Sequence, residues 1–194
     1  MSSLRETLLK HGVDCLRRKD AYDPLRLVIP SLQFGLSGQE LGQAYWDKGV
    51  VVEVAGLLHV IMVFSVNDTD ESIERVVEAT LELARGVGLA SGRSPAARVA
   101  LGTARDLASQ VLPEMCLTPR QAMNARRRTV LLSEASGLVS SESVYAYPPG
   151  SPLLVQGEVV PQGFAEMVGL LISLGVHMQG SVDHFLHNLE VVED

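Results

Sequence analysis

The sequence predicts an α+β fold, a mainly antiparallel sheet layered with helices plus a smaller C-terminal α/β subdomain, and three observations carry the prediction. Residues 25–86 run strand, helix, strand, strand, helix in their hydrophobic periodicity. Residues 86–95, Gly-Val-Gly-Leu-Ala-Ser-Gly-Arg-Ser-Pro, concentrate Gly and Ser and mark a linker, dividing the chain into 1–88 and 89–194. Tyr147-Pro148-Pro149-Gly150-Ser151-Pro152-Leu153-Leu154-Val155-Gln156-Gly157-Glu158 is a stiff turn before a buried strand. Its prolines fix φ and hold their predecessors extended, and Gly150 and Gly157 supply the turns.

Residues 1–11 carry Leu4, Leu8 and Leu9 on one side of a short helix that Gly12 stops. Residues 25–29 are β-compatible and close at Pro30, which suits an edge strand. Ser37-Gly38-Gln39-Glu40 is a capping box opening a helix with Leu41, Ala44 and Tyr45 on one face and Gly49 as its stop. Residues 50–54 and 60–66 read as two strands joined by a hairpin or a tight connection. Asp68 or Thr69 caps the next helix, in which Ile73, Val76, Val77, Leu81 and Ala84 fall at helical spacing. Residues 96–111 read as helical. Thr118-Pro119-Arg120-Gln121 is a second capping box, with Pro at the first helical position. A further helix follows Pro161 with Phe164, Met167, Val168, Leu171 and Leu174 on one face and Gly175 at its end, and residues 189–192 form the last strand.

The 194 residues are 46 % hydrophobic and 20 % charged, ordinary globular values. A net charge of -7 disfavours nucleic acid and anionic membrane as partners. The basic run Arg126, Arg127 and Arg128 reads as a solvated face or a subunit contact rather than a phosphate site. Cys15 and Cys116 stand far apart without CxxC spacing, the residues before Lys10 lack the apolar core of a secretory signal, and residues 167–176 are too short to span a bilayer. A reduced, cytoplasmic setting is expected.

The motifs also carry a family resemblance. Leu117-Thr118-Pro119-Arg120-Gln121-Ala122 followed by the Tyr147 to Glu158 segment is similar to the T/S-P-R-E-A and Y-P-P-G-x-P-L-L-x-P-G-E motifs of the ornithine/lysine/arginine decarboxylases, pyridoxal-phosphate enzymes of aminotransferase-like fold. Tyr22-Asp23-Pro24-Leu25-Arg26-Leu27 resembles the family's Y-D-P-L-K-L strand, and Phe34-Gly35-Leu36-Ser37-Gly38-Gln39-Glu40 resembles its G-L-T-G-x-E helix entry. Ser65-Val66-Asn67-Asp68-Thr69-Asp70-Glu71-Ser72 resembles its S-x-G-D-T-x-E-S turn. The resemblance covers roughly residues 20–165 and implies an aminotransferase-like small domain at 1–88, with a decarboxylase C-terminal subdomain at 89–194.

The resemblance further implies that Tyr147 and Glu158 lie near a substrate, Glu158 as a carboxylate partner for a cationic side chain. The plainer expectation is that Glu158 caps a turn and Tyr147 packs with its hydroxyl bonded. The family's cofactor forms a Schiff base on a lysine in an S-x-H-K setting, whereas Lys10, Lys19 and Lys48 are the chain's three lysines and none follows Ser-x-His. No catalytic or cofactor-binding residue is therefore assigned, and pyridoxal phosphate is expected to bind the parent family but not this chain alone. The partner is expected to be a pyridoxal-phosphate-binding domain or another subunit of a homo-oligomer, the chain being a fragment, truncated paralogue or separately encoded half. The alternative is a non-catalytic protein-interaction module derived from such an enzyme. His184, His187 and Glu190 would line one side of a helix as a metal site, but residues 188–192 read better as a strand, so no metal is expected. His177 is expected to be a bonded core residue, and His59 to lie in a turn.

Overall fold

The computed structural model describes residues 2–16, 23–86, 93–109, 112–147, 150–180, 183 and 185–193. The chain divides into two compact units, Met1–Arg105 and Asp106–Asp194. The linker expected over residues 86–95 falls mainly outside the described residues.

In the first unit, α1 (Ser2–Lys10) is followed by β1 (Arg26–Pro30), a 3-10 turn (Ser31–Phe34) and α2 (Gly38–Trp46). Then come β2 (Val54–Ala55), β3 (His59–Val63), α3 (Asp70–Gly86) and α4 (Pro95–Ser109), whose last turn, residues 106–109, falls in the second unit. The strands form one antiparallel sheet in the order β1-β3-β2, which places β1 at an edge, where its closing Pro30 costs no ladder hydrogen bond. Leu27 and Ile29 of β1 and Val60 and Met62 of β3 share a buried face, as period-two alternation requires, and Leu4, Leu8, Leu41, Tyr45 and Val76 from the helices complete that core. Each such side chain contributes on the order of 1.5–3 kcal/mol by leaving water.

The helix starts follow local chemistry. The Ser37 side chain accepts from the Glu40 N–H while the Glu40 carboxylate accepts from the Ser37 N–H, at 3.2 and 2.7 Å. The same Glu40 oxygen accepts from the Ser94 hydroxyl at 2.6 Å, and Ser94 in turn accepts from the Ala97 N–H, so one carboxylate ties together the N-termini of α2 and α4. Partial burial raises the Glu40 pKa, but the bonds from Ser94 and Ser37 outweigh it and hold the carboxyl below its ordinary value. For α3 the cap is Thr69, whose hydroxyl accepts from the Ser72 N–H at 3.2 Å; Asp68 instead accepts from the Ser65 N–H at 2.6 Å and closes the preceding turn.

That turn explains one difference from expectation. Residues 60–66 do not run on as a strand: β3 ends at Val63, and Val66 is 95 % exposed in the turn that Ser65 and Asp68 close. Of residues 50–54 only Val54 enters a strand, because Val50 folds back to donate to the Tyr45 carbonyl at the end of α2. Apolar β-branched content marks burial as readily as strand pairing.

Tyr45 is fully buried, and its hydroxyl meets Thr80 Oγ1 at 2.8 Å. Thr80 Oγ1 donates to the Val76 carbonyl at 2.6 Å, so the Tyr45 O–H donates to Thr80. Burial pushes the phenol pKa up to about 12 from 10.0, against a smaller opposing effect of the Thr80 bond. A proton lost at high pH is therefore lost first by the unfolded chain. This contribution to stability is whole below pH 10.0 and disappears as pH rises toward about 12. Urea midpoints measured across that window are expected to fall more steeply for the native chain than for Tyr45→Phe, by at most ~1.4 kcal/mol per pH unit. Parallel profiles would contradict the buried, protonated phenol.

The second unit contains α5 (Pro119–Asn124), β4 (Arg127–Leu131), a 3-10 turn (Leu132–Glu134), β5 (Val144–Tyr147) and β6 (Ser151–Leu154). It ends with α6 (Phe164–Ser173), β7 (His177–Gln179) and β8 (Asn188–Val192). Two antiparallel sheets result, β4-β8 and β6-β5-β7. Thr118 and Gln121 form the expected capping box with Pro119 in the first turn, and Phe164, Val168 and Leu171 are the buried stripe of α6. His177 is not a core residue: it is exposed on β7, opposite Tyr147. The short β7 alternates outward, inward, outward around buried Met178.

Candidate functional site

Residues 114–161 of the second unit hold the two positions with an implied substrate role. The turn after β6 is clasped between two extended segments. On one side Cys116 and Leu117 N–H both donate to the Gly157 carbonyl, at 2.9 and 3.1 Å, and Val159 N–H donates to the Glu114 carbonyl at 2.8 Å. On the other, Gly157 N–H donates to Ser140 O at 2.8 Å and Ser140 N–H to Glu158 O at 2.9 Å. Gly157 has φ +90°, and a Cβ there would lie 2.0 Å from the Leu117 carbonyl oxygen. Only glycine lets the two flanking backbones close on this turn.

Glu158 is half-buried, and its carboxylate accepts from the Val155 N–H at 2.8 Å while its own N–H donates to the Val155 carbonyl at 3.2 Å. It closes the turn over residues 155–158. Tyr147 ends β5 and is 55 % exposed, its ring lying beside Gly150, whose N–H closes the hairpin on the Ala146 carbonyl at 2.9 Å. Pro148 and Pro149 lie outside the described residues. The hairpin register pairs Val144 with Leu154 and Ala146 with Ser151. Tyr147 therefore sits at the turn end of the β5–β6 hairpin and Glu158 beyond its open end, separated by at least ~10 Å of strand. The fold does not bring the two side chains together.

A third polar residue escaped the sequence reading. Glu142 is 2 % exposed, and its Oε1 accepts from the Glu190 N–H of β8 at 2.7 Å. Ser140 Oγ donates to the Glu142 carbonyl at 2.7 Å, and Ser143 Oγ donates to Gln156 at 3.0 Å. A buried carboxylate requires donors on every side. The cue in the sequence is Ser140-Ser141-Glu142-Ser143, hydroxyls packed around one acid just before an apolar strand.

Glu190 lies on β8 with its carboxylate 3.1 Å from the Arg127 guanidinium. His187 stacks on Phe185 with ring centroids 6.2 Å apart, and His184 lies outside the described residues. Among the described residues no group of three or more His, Cys, Asp or Glu side chains is placed to hold a metal ion. His59 begins β3 rather than lying in a turn; half-buried, its imidazole has its pKa lowered by that burial.

Pyridoxal phosphate needs a lysine amine beside a phosphate cradle. Lys10 stands exposed at the end of α1, Lys48 pairs with Glu82, and Lys19 lies outside the described residues. A cleft of about 380 Å³ in the first unit is lined by Asp68, Thr69, Glu71, Ser72 and Arg75 of the decarboxylase-like turn and the start of α3, and by Val51 and Val63. Neither described lysine lines it.

Residues 103–179 match the family model described as the C-terminal domain of Orn/Lys/Arg decarboxylase. The chain is similar to the arginine decarboxylase of Bacillus subtilis, 28 % identical over 186 residues, which are 94 % of this chain and 36 % of that protein. Over 80 residues it is 35 % identical to the constitutive lysine decarboxylase of Escherichia coli, covering 38 % of this chain and 11 % of the other. Among solved structures, a lysine decarboxylase of Francisella novicida has the same fold, with TM-score 0.70 at 15 % identity over 99 % of this chain and 39 % of that one. The chain spans about a third of the length of the arginine decarboxylases it matches. No helix among the described residues is long and apolar enough to cross a membrane.

Proposed function

We propose that this chain, which carries the C-terminal domain of the Orn/Lys/Arg decarboxylases, works as the C-terminal portion of a pyridoxal-phosphate-dependent decarboxylase of a basic amino acid, without turning over substrate alone. The observation that carries the reading is one of extent: similarity runs over 94 % of this chain yet accounts for 36 % of a full arginine decarboxylase. The remainder of such an enzyme supplies the cofactor lysine, which fits a chain with no Ser-x-His-Lys among its residues. In this reading the turn closed by Glu158 and the hairpin that ends in Tyr147 form a rigid flank for the pocket, and the partner is a cofactor-binding portion or a second subunit. Cys15 and Cys116, neither of them in a disulfide, suit a reducing cytoplasm.

The test is to titrate the purified chain with pyridoxal phosphate and to measure carbon dioxide release from arginine, lysine and ornithine. The chain is assayed alone and after mixing with a truncated Bacillus subtilis arginine decarboxylase that lacks the matching region. No aldimine band and no release are expected alone, with release on mixing. Turnover by the chain alone overturns the reading. A complex that forms without activity on mixing favours the alternative, a non-catalytic interaction module, because the cofactor lysine is then present and still insufficient.

A further inference from the structure

β4 has a neighbour on one side only. It pairs antiparallel with β8, Arg127 opposite Val192, Thr129 opposite Glu190 and Leu131 opposite Asn188, and among the described residues no strand borders its other edge. Glu193 N–H donates to the Arg126 carbonyl at 2.8 Å and Leu132 N–H to the His187 carbonyl at 2.9 Å, which fixes the phase of the ladder. Residues 126, 128, 130 and 132 turn their backbone groups toward β8, and strand alternation directs the N–H and C=O of Arg127, Thr129 and Leu131 the other way. Arg126, Arg127, Arg128, Thr129 and Leu131 are all exposed. The result is an open row of donors and acceptors flanked by three guanidinium groups.

We propose that this free edge of β4 docks an acidic, extended segment of a partner chain as an added strand. Charge complementarity selects the occupant, and the fold already contains an example. The strand that β4 does bind, residues 188–193, is Asn-Leu-Glu-Val-Val-Glu, and its Glu190 carboxylate meets Arg127 at 3.1 Å. A second copy of β4 is a poor occupant. Antiparallel pairing about Thr129 would set each Arg128 opposite a Val130 and gather six arginines on two strands ~4.8 Å apart, a like-charge arrangement that opposes association. Edge arginines thus discourage self-pairing, as edge charges commonly do, and attract an acidic strand through main-chain hydrogen bonds.

The experiment uses the full chain and a synthetic peptide copying residues 187–194, beside a version in which its Glu and Asp residues are replaced by Gln and Asn. The acidic peptide is expected to bind at least ~10-fold more tightly than the neutral one, to weaken as salt is raised, and to slow amide exchange at Arg127, Thr129 and Leu131. Thr129→Pro removes one outward donor and leaves the β8 ladder intact, so it should abolish binding with an unchanged circular dichroism spectrum. Should that variant misfold, Arg126→Glu with Arg128→Glu is the second probe and should also abolish binding. Equal affinity for the two peptides, binding that survives both variants, or no binding overturns the proposal. So does displacement of β8, seen as lost protection at Arg128 and Val130, and so does a β4-mediated dimer in sedimentation.

Discussion

Replacing Gly157 with Ala is expected to cost about 4 kcal/mol or more and to open the turn that Glu158 closes. Two costs add. At φ +90° an L-residue loses roughly 1–2 kcal/mol against glycine. The new methyl would also lie 2.0 Å from the Leu117 carbonyl oxygen and 3.2 Å from the Met115 sulfur. The sulfur can swing away, but the carbonyl cannot without carrying off the amides of Cys116 and Leu117 that bond to Gly157 itself. Relief therefore breaks hydrogen bonds on one flank and, by moving residue 157, strains the bond to Ser140 on the other. The urea midpoint of Gly157→Ala should fall well below that of the native chain, and the amides of Cys116, Leu117 and Ser140 should exchange faster. A variant that unfolds within ~1 kcal/mol of the native chain would show that the two flanking segments do not clasp this turn.

Much of this architecture is legible in the sequence wherever the determining forces are local. Ser37 to Glu40 and Thr118 to Gln121 announce two helix starts because each box satisfies its own backbone donors within four residues, and both are present as read. Gly12, Gly49 and Gly175 end helices with positive φ. The decarboxylase-like motifs were readable for the same reason, since Pro and Gly restrict the backbone wherever they stand, and the match over residues 103–179 bears the resemblance out.

What sequence reasoning missed depends on contacts distant along the chain. The burial of Glu142 is set by the Glu190 amide, 48 residues away. Residues 50–54 look like a strand in isolation, yet Val50 is drawn to Tyr45 and only Val54 and Ala55 pair with β3. His177 follows an apolar helix, and only its register opposite Tyr147 puts it on the outer face of its sheet. The separation of Tyr147 from Glu158 is likewise a consequence of register. Both belong to one twelve-residue motif, but Val144 pairing with Leu154 sends them to opposite ends of a hairpin.

Gly38 gives the second large effect, and here local and tertiary expectations have opposite signs. As the first residue of α2 with no positive φ, Gly38 is a position where helix propensity alone makes Ala more stable by roughly 0.5–1 kcal/mol. The surroundings reverse this. A Cβ at residue 38 would meet the Gly56 carbonyl oxygen, in the β2–β3 connection, at 2.0 Å and the His59 carbonyl oxygen, at the start of β3, at 2.7 Å. The Gly38 N–H donates to the Leu57 carbonyl at 2.8 Å, and Gly56 N–H to the His59 carbonyl at 2.9 Å, so α2 is stitched to the same loop that the methyl would push away. With backbone on both sides the clash cannot be relieved by a rotamer change, and Gly38→Ala is expected to destabilise by about 3 kcal/mol or more. Denaturant unfolding checks the sign, and exchange at the Gly38 and Gly56 amides checks the place. A variant as stable as the native chain, or more so, would mean that α2 does not pack its first turn on that loop, and the core beneath Tyr45 and Leu41 would then need a different account.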